Sequence, residues 1–354
     1  MAKLERYIAD QVRGRAAYHV PSGEPRVKLD AMESPYRLPI EVRDRWLHAL
    51  RDIAINRYPV PDQYQHLKKR LAAESGLASG CEIVLGNGSD EILQNLLLAM
   101  SADVTVVAPT PTFVMYEQIA GLLGRAFVGV PLQEDFGLDV RALRDALIRH
   151  APALLFLAYP NNPTGILYPR AEIEELLTIE DALIVADEAY YPFAQATVID
   201  KLATHPQLMV LRTLSKQGLA GMRFGWLAAD KTWTHELEKV RLPYNISSVT
   251  VATIGFALDY KDVFEEQARR IREERARLLG DLRALATVWP SEANFLLFRP
   301  HKAHEAGRIH RELEAQGILI KNLSHQAGLA GCLRVTVGTP DENSAFLAAL
   351  SQAL

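Results

Sequence analysis

From about residue 80 the chain alternates short apolar runs with longer stretches in which apolar positions recur every three or four residues. "EIVLG" (82–86) leads into "SDEILQNLLLAM" (89–100), and "VTVVA" (104–108) leads into "TFVMYEQIAGLLG" (112–124). Further apolar runs follow: "ALLFLAY", "ALIVADE", "QLMVLRT" and "FGWLAA". Short unbroken runs predict strands buried on both faces, and the helical period between them predicts covering helices. The expectation is an α/β fold with a mostly parallel central sheet covered by helices. Past "PYNISS" (243–248) the pattern changes. Residues 250–285 read as long helices rich in helix formers and charge pairs. Then come "ANFLLFRP", a helix near 303–315, "GILIKNL", "CLRVTVG" and a terminal helix in "DENSAFLAALSQAL", together a smaller α+β unit. The predicted division is an N-terminal arm over 1–30, a large domain over 31–249 and a small C-terminal domain over 250–354.

Composition narrows the class without changing that picture. A chain of 354 residues suits one large and one small core, and 49% hydrophobic with 23% charged residues is ordinary for a globular protein. The net charge of −4 is spread along the chain, with no basic block to serve a nucleic-acid face. The two cysteines, Cys81 and Cys332, have no ligand or CxxC spacing and fit a reducing compartment. "MAKLERYIADQVRGRAAYHV" mixes charges where a secretory signal would be apolar, and the apolar runs are too short to span a bilayer. A cytoplasmic location is therefore expected. His301, His304 and His310 lack a further ligand at metal spacing, so no metal site is predicted and they read as a solvated helix face.

In an open parallel sheet, ligands bind at the carboxyl ends of the strands. After "EIVLG", Gly88 and Ser89 open a helix whose backbone N–H groups and positive end suit a phosphate, although Ser89 also works as a plain N-cap. After "ALLFLAY", the tight turn "PNNPTG" holds the Asn162 amide rigidly beside Pro163. After "ALIVA" comes Asp187, a carboxylate at a buried strand end, costly unless it meets a cation or a ligand; a structural salt bridge is the plain alternative. After "QLMVLRT" comes Lys216, inside "TLSKQGLAGMRFGW" (213–226), a stretch unlike a solvated helix face. A confined lysine loses its proton readily and can form a Schiff base with a carbonyl. A Schiff-base lysine, a carboxylate for a pyridinium nitrogen, an amide for a ring oxygen and a phosphate seat together describe pyridoxal 5'-phosphate. Thr213, Ser215 and Arg223 add donors for its phosphate, Arg223 with the fork that suits one.

The ordered set "PNNPTG", "ADEAYYPF", "TLSKQGLAGMRFGW" and "CLRVTVG" resembles the fold-type I, class I/II pyridoxal-phosphate-dependent aminotransferases over nearly the whole chain. "AYHVPSG", "LDAMESPY", "RYPVPD", "PTFVMY" and "LAGCLRVTVGTPDEN" are similar to the branch of that family acting on L-histidinol phosphate with 2-oxoglutarate. The resemblance implies that Lys216, Asp187 and Tyr190 carry the chemistry. It implies that Tyr116 stacks on the pyridine ring, that Asn162 and Tyr190 hold the ring hydroxyl, and that Gly88, Ser89 and Asp90 line the phosphate seat, Asp90 through its N–H. Tyr58 is similar to a tyrosine that reaches the neighbouring subunit's cofactor phosphate, so the resemblance implies a homodimer with shared active sites, the arm over 1–30 packing on the small domain and the dimer partner. Arg334 matches the arginine that receives the anionic end of the substrate, and Tyr18 and Asn162 face the substrate with it. Lys321 stands where the family often has arginine, giving charge without a fork. Competing readings are an aromatic amino-acid aminotransferase, a decarboxylase of a phosphorylated amino acid, and a cofactor-sensing regulatory domain; no DNA-binding module supports the last.

Overall fold

A computed structural model describes residues 6–15, 17 and 25–354. A two-residue strand, β1 (Val27–Lys28), precedes a series in which every strand but one forms where an apolar run predicts it. These are β2 (Cys81–Gly86), β3 (Thr105–Thr110), β4 (Phe127–Pro131), β5 (Ala153–Ala158), β6 (Ala182–Asp187), β7 (Leu208–Thr213) and β8 (Gly225–Asp230). Their order across the sheet is β2-β8-β7-β6-β5-β3-β4, parallel except for β8, which runs antiparallel to both neighbours. β5 and β7 are buried along their whole length, as a strand covered on both faces must be. On β5, Leu154 and Phe156 enter one core while Leu155 and Leu157 enter the other, the two-residue period of a pleated strand. β4 was not legible as a strand. It pairs on one side only and is mostly half-exposed, so no continuous apolar run marks it.

The smaller sheet has the order β12-β13-β10-β9, from β9 (Ala286–Val288), β10 (Phe295–Pro300), β12 (Lys321–Asn322) and β13 (Leu333–Thr336), all antiparallel. β11 (Ile318–Leu319) leaves that sheet to pair in parallel with β1, so "GILIKNL" is two strands rather than one. The expected division after residue 249 does not coincide with the cores. The helix Ser248–Asp259 packs on the helices Ile40–Leu50 and Pro61–Glu74, and its Val251, Ile254 and Ala257 belong to a core of the large sheet. The next helix, Lys261–Arg283, places Phe264 in that core and Ala268 and Ile271 in the smaller one, so the change of core falls inside a continuous helix. The N-terminal arm also divides: Val27 and Leu29 join the small core, whereas the helix Asp10–Arg13 lies against the helix Met115–Leu122 beside the large sheet. Among the described residues no helix is long and apolar enough to cross a membrane, and no three His, Cys, Asp or Glu side chains are grouped to hold a metal.

Candidate active site

A cavity opens at the carboxyl ends of β5, β6 and β7, lined by Ala158, Asp187 and Thr213 as the last residues of these strands. Asn162, Tyr190, Ser215 and Lys216 line it from the turns that follow, and Ser89, Asp90 and Arg223 close one end. Residues distant in sequence meet because parallel strands bring all their carboxyl ends to one edge. Two wider hollows lie elsewhere, one bounded by Glu74, Arg212 and Arg269, the other by Tyr64, Lys68 and Glu238. In them Arg212, Arg269 and Lys68 are tied to glutamates, and neither hollow brings a buried amine towards a strand-end carboxylate.

The closed end is built on backbone. The helix Ser89–Ala99 begins at Gly88, whose φ is +88°. That left-handed conformation favours glycine, and the missing side chain leaves room for the Arg223 guanidinium, whose Nη2 would lie 2.7 Å from a Cβ there. A Cβ at Gly225 would stand 2.7 Å from the Ser89 backbone nitrogen; its absence lets β8 approach the helix start. Arg223 itself holds a left-handed φ of +46°, a costly conformation for a side chain of that size and one that clusters at functional sites. Its guanidinium donates to Ser215 Oγ at 3.3 Å and lies 3.6 Å from an Asp90 carboxylate oxygen. Ser215 in turn is tied to Thr213 Oγ1, both through its hydroxyl at 2.9 Å and its N–H at 3.2 Å. These groups place several donors around one helix N-terminus, the geometry that binds an anion.

The Lys216 amine faces the Ala31 carbonyl at 3.5 Å. Burial, with the positive charges of Arg334 and Arg223 nearby, lowers its pKa to about 8 against the opposing pull of Asp90 and Glu33. Asp187 is pushed the other way, up to about 6, because burial outweighs the donors on its carboxylate. Those donors are the Tyr116 hydroxyl at 2.8 Å and the Ala189 N–H at 3.1 Å. Tyr190 is held well above its usual range by burial, so it remains a neutral phenol and a donor. A short chain of contacts joins the large and small parts: Arg334 Nη1 donates to Asn162 Oδ1 at 2.6 Å, and Asn162 Nδ2 donates to Tyr190 Oη at 3.1 Å. Arg334 Nη2 also reaches the Asp30 carbonyl at 3.1 Å.

Tyr116 does not occupy the position that resemblance assigned it. It is absent from the cavity wall; its ring is stacked on Phe156 at 4.8 Å and its hydroxyl points to Asp187 from behind. Phe113 faces the cavity instead. The signal was in the period of the helix Met115–Leu122, where Tyr116, Ile119 and Ala120 form the buried stripe and so turn into the core rather than the cleft. Met32, at φ +54°, is another wall residue that the sequence did not single out. Lys321 pairs in register with Arg334 across β12 and β13, which puts both side chains on one sheet face. Tyr58 is exposed, away from the cavity of its own chain, and stacked on Tyr244 at 4.4 Å. Tyr18 lies outside the described residues.

A lysine amine and a strand-end carboxylate in one cavity, beside an anion seat, define a cofactor-dependent group-transfer site, and residues 24–350 match the family of class I and II aminotransferases. The chain belongs to that family. It is 47% identical to histidinol-phosphate aminotransferase 2 of Nitrosococcus oceani, over 98% of this chain and 97% of that protein. It is 46% identical to histidinol-phosphate aminotransferase 2 of Cupriavidus pinatubonensis, over 99% of this chain and 97% of that one. Among solved structures, histidinol-phosphate aminotransferase from Sinorhizobium meliloti in complex with pyridoxal-5'-phosphate is similar, with a TM-score of 0.85 at 26% identity, covering 98% of this chain and 97% of that one.

Proposed function

We propose that this chain uses pyridoxal 5'-phosphate to exchange an amino group between L-histidinol phosphate and 2-oxoglutarate, yielding imidazole-acetol phosphate and L-glutamate in histidine biosynthesis. It would act in the cytoplasm as a homodimer with shared active sites. The observation that carries the reading is the Lys216 amine and the Asp187 carboxylate in one cavity, with Gly88 at φ +88° leading the helix at its closed end. The substrate rests on the names of relatives 46–47% identical over nearly the whole chain.

The residues fit the cofactor. The donors around the Ser89 helix start suit its phosphate, Asp187 suits its ring nitrogen, and Tyr190 with Asn162 suits its ring hydroxyl. Phe113 offers an aromatic face to the ring in the place expected of Tyr116. When bound, pyridoxal 5'-phosphate supplies an electron sink for the pair left at the substrate Cα. Lys216 Nζ, with its pKa near 8, is in part unprotonated at neutral pH and is suited to take the Cα proton and hand it on. Asp187 holds negative charge against the ring nitrogen, and Tyr190 remains a hydrogen-bond donor. Arg334 can grip the anionic end of the substrate while keeping Asn162 in place, because a guanidinium offers several N–H donors in a rigid fork. Absorbance of the bound cofactor tests the assignment. L-Histidinol phosphate should convert it to the amino form faster than aromatic amino acids do, whereas a decarboxylase would release carbon dioxide without that conversion.

Histidinol phosphate has no carboxylate and glutamate has two, so one pocket must accept a phosphate monoester in one half-reaction and a carboxylate in the other. Arg334→Ala is expected to lower the specificity constant at least about tenfold in both half-reactions, since a charged hydrogen bond is worth roughly 1.5–3 kcal/mol. Lys321→Ala should weaken histidinol phosphate more than glutamate, because the dianionic phosphate gains more from a second cation. Half-reaction kinetics on each variant decide this. An Arg334→Ala enzyme with unchanged histidinol phosphate turnover would remove the phosphate, and the substrate assignment, from this pocket.

The exposure of Tyr58, with exposed Ile55, Val60, Leu242 and Tyr244 near it, supports a covering partner at this edge. Mixing Tyr58→Phe subunits with Lys216→Ala subunits tests a shared site. In the heterodimer one site carries both defects and the other neither, so activity should rise above that of either parent. Lack of complementation would mean that each subunit completes its own site.

A further inference from the structure

We propose that Tyr116 is a positioning residue for the cofactor's ring nitrogen, acting through Asp187. The inference rests on the reading of Asp187 as that nitrogen's partner. Tyr116 is 1% exposed, so its hydroxyl must be paired inside the protein. It donates to Asp187 Oδ2 at 2.8 Å, while the Ala189 N–H donates to Oδ1 at 3.1 Å. The two donors come from different elements, one from the helix Met115–Leu122 and one from the turn after β6, and together they set the plane of the carboxylate. The phenol is itself held. Its ring stacks on Phe156 of β5 at 4.8 Å and 15° and meets the edge of Phe113 at 5.5 Å and 87°. Tyr116 therefore links the cavity wall at Phe113 to the carboxylate at the strand end.

The hydrogen bond also selects a charge state. A phenol donor favours the ionised carboxylate, whereas burial favours the neutral acid. Asp90, from the start of the helix Ser89–Ala99, opposes the Asp187 charge; Lys216, from the loop after β7, supports it; Tyr116 supports it through the hydrogen bond. Tyr190, from the turn after β6, stays a neutral phenol near it. Without the Tyr116 hydroxyl, the Ala189 N–H would be the fixed donor left to Asp187 among the described residues, and the carboxylate would take up a proton at higher pH.

Tyr116→Phe removes the hydroxyl and keeps the ring packing. In the apoprotein the Asp187 carboxyl, assigned by its loss in Asp187→Asn, can be titrated by infrared difference spectroscopy. Its midpoint is expected to rise by about one pH unit or more in Tyr116→Phe, the change that follows from losing one charged hydrogen bond. In the holoenzyme the absorption spectrum of the bound cofactor should change, and kcat should fall about tenfold with little change in KM. Adding Tyr116→Phe to Asp187→Asn should then cost less than about twofold further, because the two act as one unit. A folded Tyr116→Phe protein with an unchanged Asp187 midpoint would overturn the proposal, as would full additivity in the double variant. If the wild-type apoprotein takes up no pyridoxal 5'-phosphate, the reading of the site falls and this inference with it. If it takes up the cofactor but Tyr116→Phe leaves titration and spectrum untouched, only this inference falls.

Discussion

Lys216→Ala is expected to lower turnover by about 10⁴-fold or more while the protein remains folded, because the change removes both the covalent attachment point and the proton carrier. The structure makes the second half of that expectation specific. Among the described residues the amine's hydrogen bond is long, 3.5 Å to the Ala31 carbonyl, so its loss costs the fold little. Folding also lowers the lysine's pKa from 10.5 to about 8. A base depressed on folding costs stability below its folded pKa, and the cost fades as pH rises from about 8 towards 10.5. At pH 7 the variant should therefore have an apoprotein Tm equal to or above that of the wild type. Borohydride reduction of the wild-type holoenzyme, followed by peptide mapping, should fix the cofactor to Lys216. Label on a different lysine would take Lys216 out of the mechanism. Cofactor uptake by the wild-type apoprotein should also quicken as pH rises through about 8, since the unprotonated amine is the nucleophile.

Asp187→Asn is the second large effect, expected to cost on the order of 10²–10³ in kcat while some cofactor is retained. The amide is nearly the same size, and its oxygen can still accept from Tyr116 or the Ala189 N–H, so the site should keep its shape. What it loses is the negative charge that holds a proton on the ring nitrogen. The phosphate seat and Lys216 remain, which is why binding should suffer less than rate. Single-turnover absorbance with an amino donor separates the two. Near-normal turnover would show that the ring nitrogen is held by some other group.

The sequence was most informative where chemistry and strand ends coincide. Asp187 and Thr213 close apolar runs, and Asn162 and Lys216 follow within four residues of such runs. A parallel sheet lines up those ends, so residues 158–216 could be gathered into one site before any coordinates. It was least informative where the outcome depends on which way a side chain turns. "PTFVMY" holds two aromatic residues three apart, and which of them faces the cavity depends on where the helix begins. The helix begins at Met115, so Tyr116 falls on its buried stripe and Phe113 stays outside in the turn. The change of core lies beyond residue 249 for a related reason. A composition change marks where helices become charged, whereas a core is defined by what those helices touch, and Ser248–Asp259 touches the large part.

The strands of the large sheet other than β4, and the placing of Lys216, Asp187 and Gly88 at or just after strand ends, were legible in the sequence alone. Each depends on local periodicity or on a residue type whose burial is costly without a partner. Tertiary structure alone decided that the Tyr116 hydroxyl meets Asp187, and that Arg334 reaches Asn162 across the two parts of the fold. It likewise decided that one helix, Lys261–Arg283, carries the chain from one core to the other. These are contacts between residues 71 and 172 positions apart in the first two cases, set by how whole elements pack, and no local pattern encodes such a meeting.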